Sequence, residues 1–168
     1  DYYASRGLGD VYKRQVQTVG EFKEKTEKNK LDLQIKKPEE PIYIMADGRH
    51  FWRVIDNLMN NICKYAQPGT RVYVDLRENG GQVELIFRNT SRYPLNISSE
   101  ELMERFVRGD ESRNTEGSGL GISIAKSLME LMGGSFMLYV DGDLFKVVLG
   151  FAQMEEEKEP LDKDKSGK

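Results

Sequence analysis

The chain has 168 residues, 38% of them hydrophobic and 32% charged, and its 25 lysines and arginines against 28 aspartates and glutamates leave a net charge of -3. That length carries one ordinary core, and that balance excludes a wholly disordered chain and a strongly basic nucleic-acid binder. A single cysteine, Cys63, and a single histidine, His50, exclude a disulfide framework, a cysteine-only zinc site and a histidine-rich metal centre.

No apolar run approaches the roughly 20 residues that span a bilayer, and no secretory signal is visible at the start, so the expectation is a soluble chain of intracellular character. Residues 1–14, DYYASRGLGDVYKR, show neither a helical nor a strand period and are expected to be unstructured or cloning-derived. Residues 154–168 are charged, with little to bury, and are expected to form a disordered tail. The folded unit is then 15–153.

Val16, Val19, Phe22 and Thr26 fall on one side of a short helix. LDLQIKK and PIYIMAD alternate apolar residues as two strands, with Pro38 and Pro41 at the turn between them, so a hairpin is expected. Asp47 stands at an N-cap position, and Phe51, Val54, Ile55, Leu58, Met59 and Ile62 recur at helical spacing, predicting a helix over 48–65 that ends before Pro68-Gly69. TRVYVDL and QVELIFRN are strands joined at Asn79-Gly80-Gly81, a hairpin signal. Ser98 or Ser99 caps a helix over SSEELMERF, with a capping-box glutamate. A polar stretch, RGDESRNTEGSGLG, leads into an amphipathic helix carrying Ile122, Ile124, Ala125, Leu128, Met129 and Met132. A last pair of strands turns at Asp141-Gly142-Asp143. Helices interleaved with antiparallel pairs predict an α/β (α+β) two-layer sandwich, with helices on one face of a mixed, mostly antiparallel sheet.

Two groups of residues can carry chemistry. Gly117-Ser118-Gly119-Leu120-Gly121 opens a helix, where free N–H groups can face phosphate oxygens; the plainer reading is a flexible loop with a glycine cap. It is no Walker A motif, since no G-K-[ST] follows. Asn57, Asn60 and Asn61 crowd one helix, although asparagine is a mediocre helix former. Asn57 and Asn61, four apart, share a face. They suit either a hydrated hard cation beside phosphates or structural hydrogen bonds to the backbone. Lys64 and Tyr65 close the helix, where they can meet a phosphate and a ring or serve as a surface lysine and a core-edge aromatic.

RVIDNLMNNICKYA, ELMERFVRGDESR and EGSGLGISIAKSLMELMGG, in that order, resemble the N, F and G2 boxes of the catalytic and ATP-binding domain of bacterial sensor histidine kinases. These belong to the gyrase–Hsp90–histidine kinase–MutL ATPase group. The resemblance covers about residues 16–152 and implies a Bergerat-type ATP-binding fold with ATP and Mg²⁺ as ligands. It implies that Asn61 ligates Mg²⁺, that Asn57 lies close to the phosphates, and that Lys64 sits near the triphosphate. It places Tyr65 against adenine and makes Gly117, Gly119 and Gly121, with Ser118 and Leu120 between them, the loop that cradles the β and γ phosphates. Phe106 matches the central F-box phenylalanine, and Arg108 and Arg113 fall in the lid that closes over ATP.

Two positions depart from the family pattern. Asn89 stands where the adenine-binding aspartate sits, and no glycine occurs from Arg88 through Val107. Arg53 stands where many members carry a glutamate or glutamine associated with deprotonating the phosphoacceptor histidine; arginine cannot act as a base. The phosphoacceptor of the family lies on a separate dimerising helical hairpin, and His50 does not match it. The resemblance thus implies a fragment holding the ATP side of histidine phosphorylation, monomeric alone and homodimeric in its parent. Its partners are the dimerisation and phosphotransfer domain, then a response regulator, with no nucleic acid involved. The domain is expected to be cytoplasmic and its parent in the bacterial cell membrane. Two other readings stay open: a degenerate nucleotide-binding or protein-interaction module, which Arg53 and the missing glycines favour, and a self-contained ATPase, which the lack of a base glutamate opposes.

Overall fold

The structure, a computed structural model, describes residues 11–16, 19–112 and 120–154. Among these, seven strands form one sheet: β1 (Val11–Gln15), β2 (Asp32–Lys36), β3 (Tyr43–Asp47), β4 (Arg71–Asn79), β5 (Gln82–Thr90), β6 (Ser135–Asp141) and β7 (Leu144–Met154). The lateral order is β1-β3-β7-β5-β4-β2, and β6 also pairs with β7. β7 runs beside β5 along most of its length, while its other edge carries β6 from Leu144 to Gly150 and then β3 at Gln153 and Met154. Only β2 and β4 pair in parallel.

Four α-helices are described: α1 (Lys23–Lys28), α2 (Gly48–Tyr65), α3 (Ser99–Ser112) and α4 (Leu120–Leu131). The α2 limits are those that the sequence pattern predicts. Asp47 caps the helix, its carboxylate accepting from the backbone N–H groups of Arg49 at 2.9 Å and His50 at 3.3 Å. The helix buries Val54, Ile55, Leu58, Met59, Ile62 and Cys63. All of these but Cys63 join Ile122, Ala125 and Met129 of α4 and the inner sheet row of Val72, Val74, Leu85, Phe87, Val147 and Leu149 in one core between two layers. Ser98 caps α3 through Glu101, whose N–H lies 3.1 Å from the serine hydroxyl. Two of the three expected hairpins form, β4–β5 and β6–β7. Gly80 and Gly81 adopt φ of 57° and 81°, the left-handed pair that a two-residue turn requires, and Gly142 adopts 58°.

Five expectations need correction. The two proline-linked strands make no hairpin: β2 lies at one edge beside β4, while β3 lies between β1 and β7. Alternation fixed the inward face of each strand without fixing its neighbour. Residues 11–14, expected to be unstructured, form most of β1, which needs no apolar pattern because backbone hydrogen bonds to β3 hold it at the edge. The first helix begins later than Val16, which ends the strand region and donates its N–H to Ile42 at 2.8 Å. A 3-10 turn at Val19–Phe22 leads instead into α1. Met154, assigned to the tail, pairs with Tyr43 in the sheet; residues 155–168 and 1–10 lie outside the described residues. The F-box helix also runs further than its apolar pattern, through Ser112.

Candidate functional site

The end of α2 is tied to the end of β5 by backbone contacts. Gln67 donates to the Thr90 carbonyl at 2.8 Å, Arg92 to the Tyr65 carbonyl at 2.7 Å, and Ala66 bridges Ser91. These bonds bring two distant parts of the sequence, the asparagine-bearing helix and Asn89, to one place. Between them and α3 lies a cavity of about 230 Å³ lined by Asn61, Tyr65, Asn89, Ser91, Tyr93, Leu95, Leu102, Phe106 and Phe145. It is aromatic and aliphatic in the main, and among the described residues no charged side chain lines it.

Asn89 is 4% exposed, points to the helix face of the sheet and stands opposite Phe145 and Val72 in register. Its Oδ1 is a buried acceptor to which no described residue donates. Burying a polar atom without a partner costs about 1–3 kcal/mol, so such an atom in a cavity is set for a ligand donor. A second buried orphan is Asn57 Nδ2, a donor. Asn57 lies under the first turn of α4: a Cβ placed on Gly121 would sit 3.5 Å from the Asn57 Cβ and carbonyl oxygen. The N-box helix and the start of the G2 helix are therefore in contact.

The three asparagines divide. Asn61 lines the cavity and Asn57 faces Gly121, whereas Asn60 turns the other way and accepts a hydrogen bond from Lys25 of α1. Lys64 is exposed, with Nζ 5.0 Å from the ring centroid of Tyr65, a cation–π contact beside a cavity-lining ring. Arg108 falls near the end of α3, and Leu120 opens α4. Arg113, Gly117, Ser118 and Gly119 lie outside the described residues.

Sequence reasoning missed Ser91, Tyr93, Leu95, Leu102 and Phe145. Leu102 and Phe106 are four apart on α3, so helical spacing alone could have aimed the leucine at the same space as the F-box phenylalanine. Phe145 follows only from the β5–β7 register. Arg53 is exposed on α2. His50 lies beside its own cap, Nδ1 3.7 Å from Asp47 Oδ2. Cys63 is buried, and that burial pushes its thiol above the ordinary value, against a smaller opposing pull from the Lys25 charge.

A mixed sheet covered on one face by helices, with an aromatic cleft between an asparagine-bearing helix and the end of a strand, defines a Bergerat-type ATPase domain. The family described as histidine kinase-, DNA gyrase B-, and HSP90-like ATPase matches residues 46–160, and the chain belongs to it. It is 34% identical over 110 residues to the probable sensor protein PcoS of Escherichia coli, covering 63% of this chain and 24% of that protein. It is 30% identical over 117 residues to the probable sensor kinase SilS of Salmonella typhimurium, covering 68% of this chain and 24% of that one. The chain thus spans about a quarter of the length of these relatives.

Among solved structures, the nucleotide-free catalytic domain of the histidine kinase ThkA superposes with a TM-score of 0.68 at 20% identity, over 85% of this chain and 95% of that one. The Acinetobacter baumannii histidine kinase AdeS gives 0.64 at 14% identity, over 92% and 74%. The fold is theirs. The chain matches the ATP-binding catalytic module of sensor histidine kinases, a family whose expected ligands are ATP and Mg²⁺.

The residues present fit those ligands. The aromatic and aliphatic cavity suits a base, the Asn89 acceptor suits an amine, and the Asn57 donor suits a phosphate oxygen. Among the described residues no cluster of three or more His, Cys, Asp or Glu side chains could cage a metal. The Asn61 amide at the cavity offers a hard oxygen ligand of the kind Mg²⁺ takes. No helix of the described residues is long and apolar enough to cross a membrane.

Proposed function

We propose that this domain positions Mg²⁺-ATP for transfer of the γ-phosphoryl group to a histidine on a separate dimerisation domain of its parent protein. The observation that carries the reading is the buried, unpartnered Asn89 Oδ1 inside a cavity that Asn61 and Tyr65 share. In this reading Asn89 reads the purine edge and Tyr65 lies against its face. Asn57 and Lys64 approach the phosphates. The backbone from Gly117 through Ser118, Gly119 and Leu120 to Gly121 donates N–H groups to phosphate oxygens, as helix N-termini do.

Asn61 is the residue that would hold Mg²⁺, which when bound neutralises charge on the phosphate oxygens. The bond between the γ phosphorus and the β–γ bridging oxygen breaks as a histidine nitrogen bonds to that phosphorus, and ADP leaves. The protein contributes placement and charge compensation rather than covalent chemistry. Arg108 and Arg113 are assigned to compensate developing charge from the lid. Arg53 takes no proton, so the base is assigned to the histidine's own domain. The same reading makes the parent a homodimeric sensor in the bacterial cell membrane, with this domain in the cytoplasm and a response regulator downstream.

The test is calorimetric titration of ATP into the chain, with and without Mg²⁺. The wild type should bind ATP in a Mg²⁺-sensitive way. Asn61→Ala should lose that sensitivity and most of the affinity while its circular dichroism spectrum stays folded. An Asn61→Ala protein that retained Mg²⁺-sensitive ATP affinity would refute the assignment. Adding the parent's dimerisation domain in trans should yield phosphohistidine.

A further inference from the structure

Every polar side chain that lines the cavity among the described residues can both donate and accept. Asn61 and Asn89 bring amides, and Ser91, Tyr65 and Tyr93 bring hydroxyls. Among the described residues no carboxylate, ammonium or guanidinium lines the pocket. Asn89 is the most deeply placed of the strand residues there, at 4% exposure, and no hydrogen bond among the described residues holds either end of its amide. The amide has nearly the same shape after a half-turn about its last torsion, so its acceptor and donor can exchange places at little steric cost.

From this we infer that the pocket accepts 6-oxopurine nucleotides as well as adenine nucleotides, and that Asn89 decides it; the inference rests on the nucleotide-binding reading above. An adenine presents a donor at its 6-amino group beside an acceptor at N1. A hypoxanthine presents the reverse, an acceptor at O6 beside a donor at N1–H. An amide meets the first edge with Oδ1 toward the amine and Nδ2 toward N1. It meets the second after a half-turn, with Nδ2 toward O6 and Oδ1 toward N1–H. A carboxylate at this position has acceptors only: it takes the adenine amine but sets like against like at N1, and it takes the hypoxanthine N1–H but sets like against like at O6. The amide that departs from the family pattern is thus able to meet both atoms of either edge.

Inosine triphosphate is the appropriate probe, because it differs from ATP only at that edge. Both are titrated calorimetrically into the 168-residue chain with Mg²⁺. In the wild type the two dissociation constants should agree within about tenfold. Asn89→Asp should weaken both nucleotides by about tenfold, because a carboxylate sets an acceptor against N1 of the one and against O6 of the other. Wild-type binding of ATP with inosine triphosphate more than about a hundredfold weaker overturns the inference and leaves the nucleotide reading standing. Binding of neither nucleotide overturns both. Unchanged affinity for both nucleotides in folded Asn89→Asp removes Asn89 from the role, and if that variant does not fold, the wild-type ratio decides alone.

Discussion

Gly121 lies against Asn57: a Cβ built on the glycine would meet the asparagine's Cβ and carbonyl oxygen at 3.5 Å and its Cγ at 3.7 Å. This contact joins the first turn of α4 to the middle of α2 and sets the spacing between the two helices that bear the phosphate-facing candidates. The space admits a methyl group at ordinary van der Waals distance and little more. Gly121→Ala should therefore fold with stability within about 1 kcal/mol of wild type, since alanine is also the better helix former. Gly121→Val must push α4 away from α2 and should cost about 1–3 kcal/mol. It should also weaken ATP binding more than alanine does. Thermal unfolding and titration of both variants check this; a valine variant that binds ATP like wild type would detach Gly121 from the site.

Asn60 offers an internal control for its two neighbours. It accepts from the Lys25 ammonium on the exposed side of α2 and does not line the cavity. Asn60→Ala should change stability by about 1 kcal/mol or less, as expected for an exposed polar contact, and leave ATP affinity unchanged. Asn57→Ala should weaken ATP binding by about tenfold, because it removes the buried donor Nδ2 that no described residue satisfies. Equal losses from both variants would mean that the asparagine cluster acts through helix stability alone.

The parts of this fold that could be read from sequence are those that local chemistry determines. The length of α2 follows from the Asp47 cap and the apolar period, and the hairpin turns follow from the glycines at positions 80, 81 and 142. Strand neighbours are set by the whole sheet. Nothing near Pro38 or Pro41 says that Leu33 will pair with Val72, in parallel, across an intervening helix. The same division holds for the site. Asn57, Asn61 and Tyr65 lie within one helix and announce themselves by spacing, and Asn89 emerged from the family resemblance. Ser91, Tyr93, Leu95 and Phe145 reach the cavity only through the contacts of β5 with α2 and β7.

Gly134 and Gly150 illustrate how a clash depends on what is struck. A Cβ on Gly134 would meet the Gly150 carbonyl oxygen at 2.7 Å and the Met129 methyl carbon at 2.8 Å. A carbonyl in the central strand cannot swing aside, so Gly134→Ala must shift the α4–β6 connection. It should destabilise the domain by about 2–3 kcal/mol. A Cβ on Gly150 would crowd chiefly the Ser135 hydroxyl, which can rotate away. Gly150→Ala should cost about 1 kcal/mol or less. Urea unfolding of the two variants should rank them in that order, and the reverse order would contradict the packing at the end of α4.

Cys63 gives a prediction with a definite sign in pH. Its thiol is buried on the core side of α2, and burial raises its pKa above the usual 9.0, with the Lys25 charge opposing in smaller measure. The unfolded chain releases this proton near the ordinary value, while the folded chain keeps it to higher pH. Between those values the unfolded state holds fewer protons, so stability falls as pH rises. The contribution is fully present below pH 9.0 and is lost progressively above it as pH climbs toward the folded value. Each unit of separation is worth about 1.4 kcal/mol at most. Urea unfolding at pH 7.5 and at pH 10 should therefore show a steeper alkaline loss for the wild type than for Cys63→Ala, which lacks the titrating group. The same burial makes the thiol a poor nucleophile, so an aromatic disulfide reagent should react slowly with the native domain and at once in denaturant. Rapid reaction of the native thiol, or identical alkaline slopes for the two proteins, would show that α2 does not hold this face against the core.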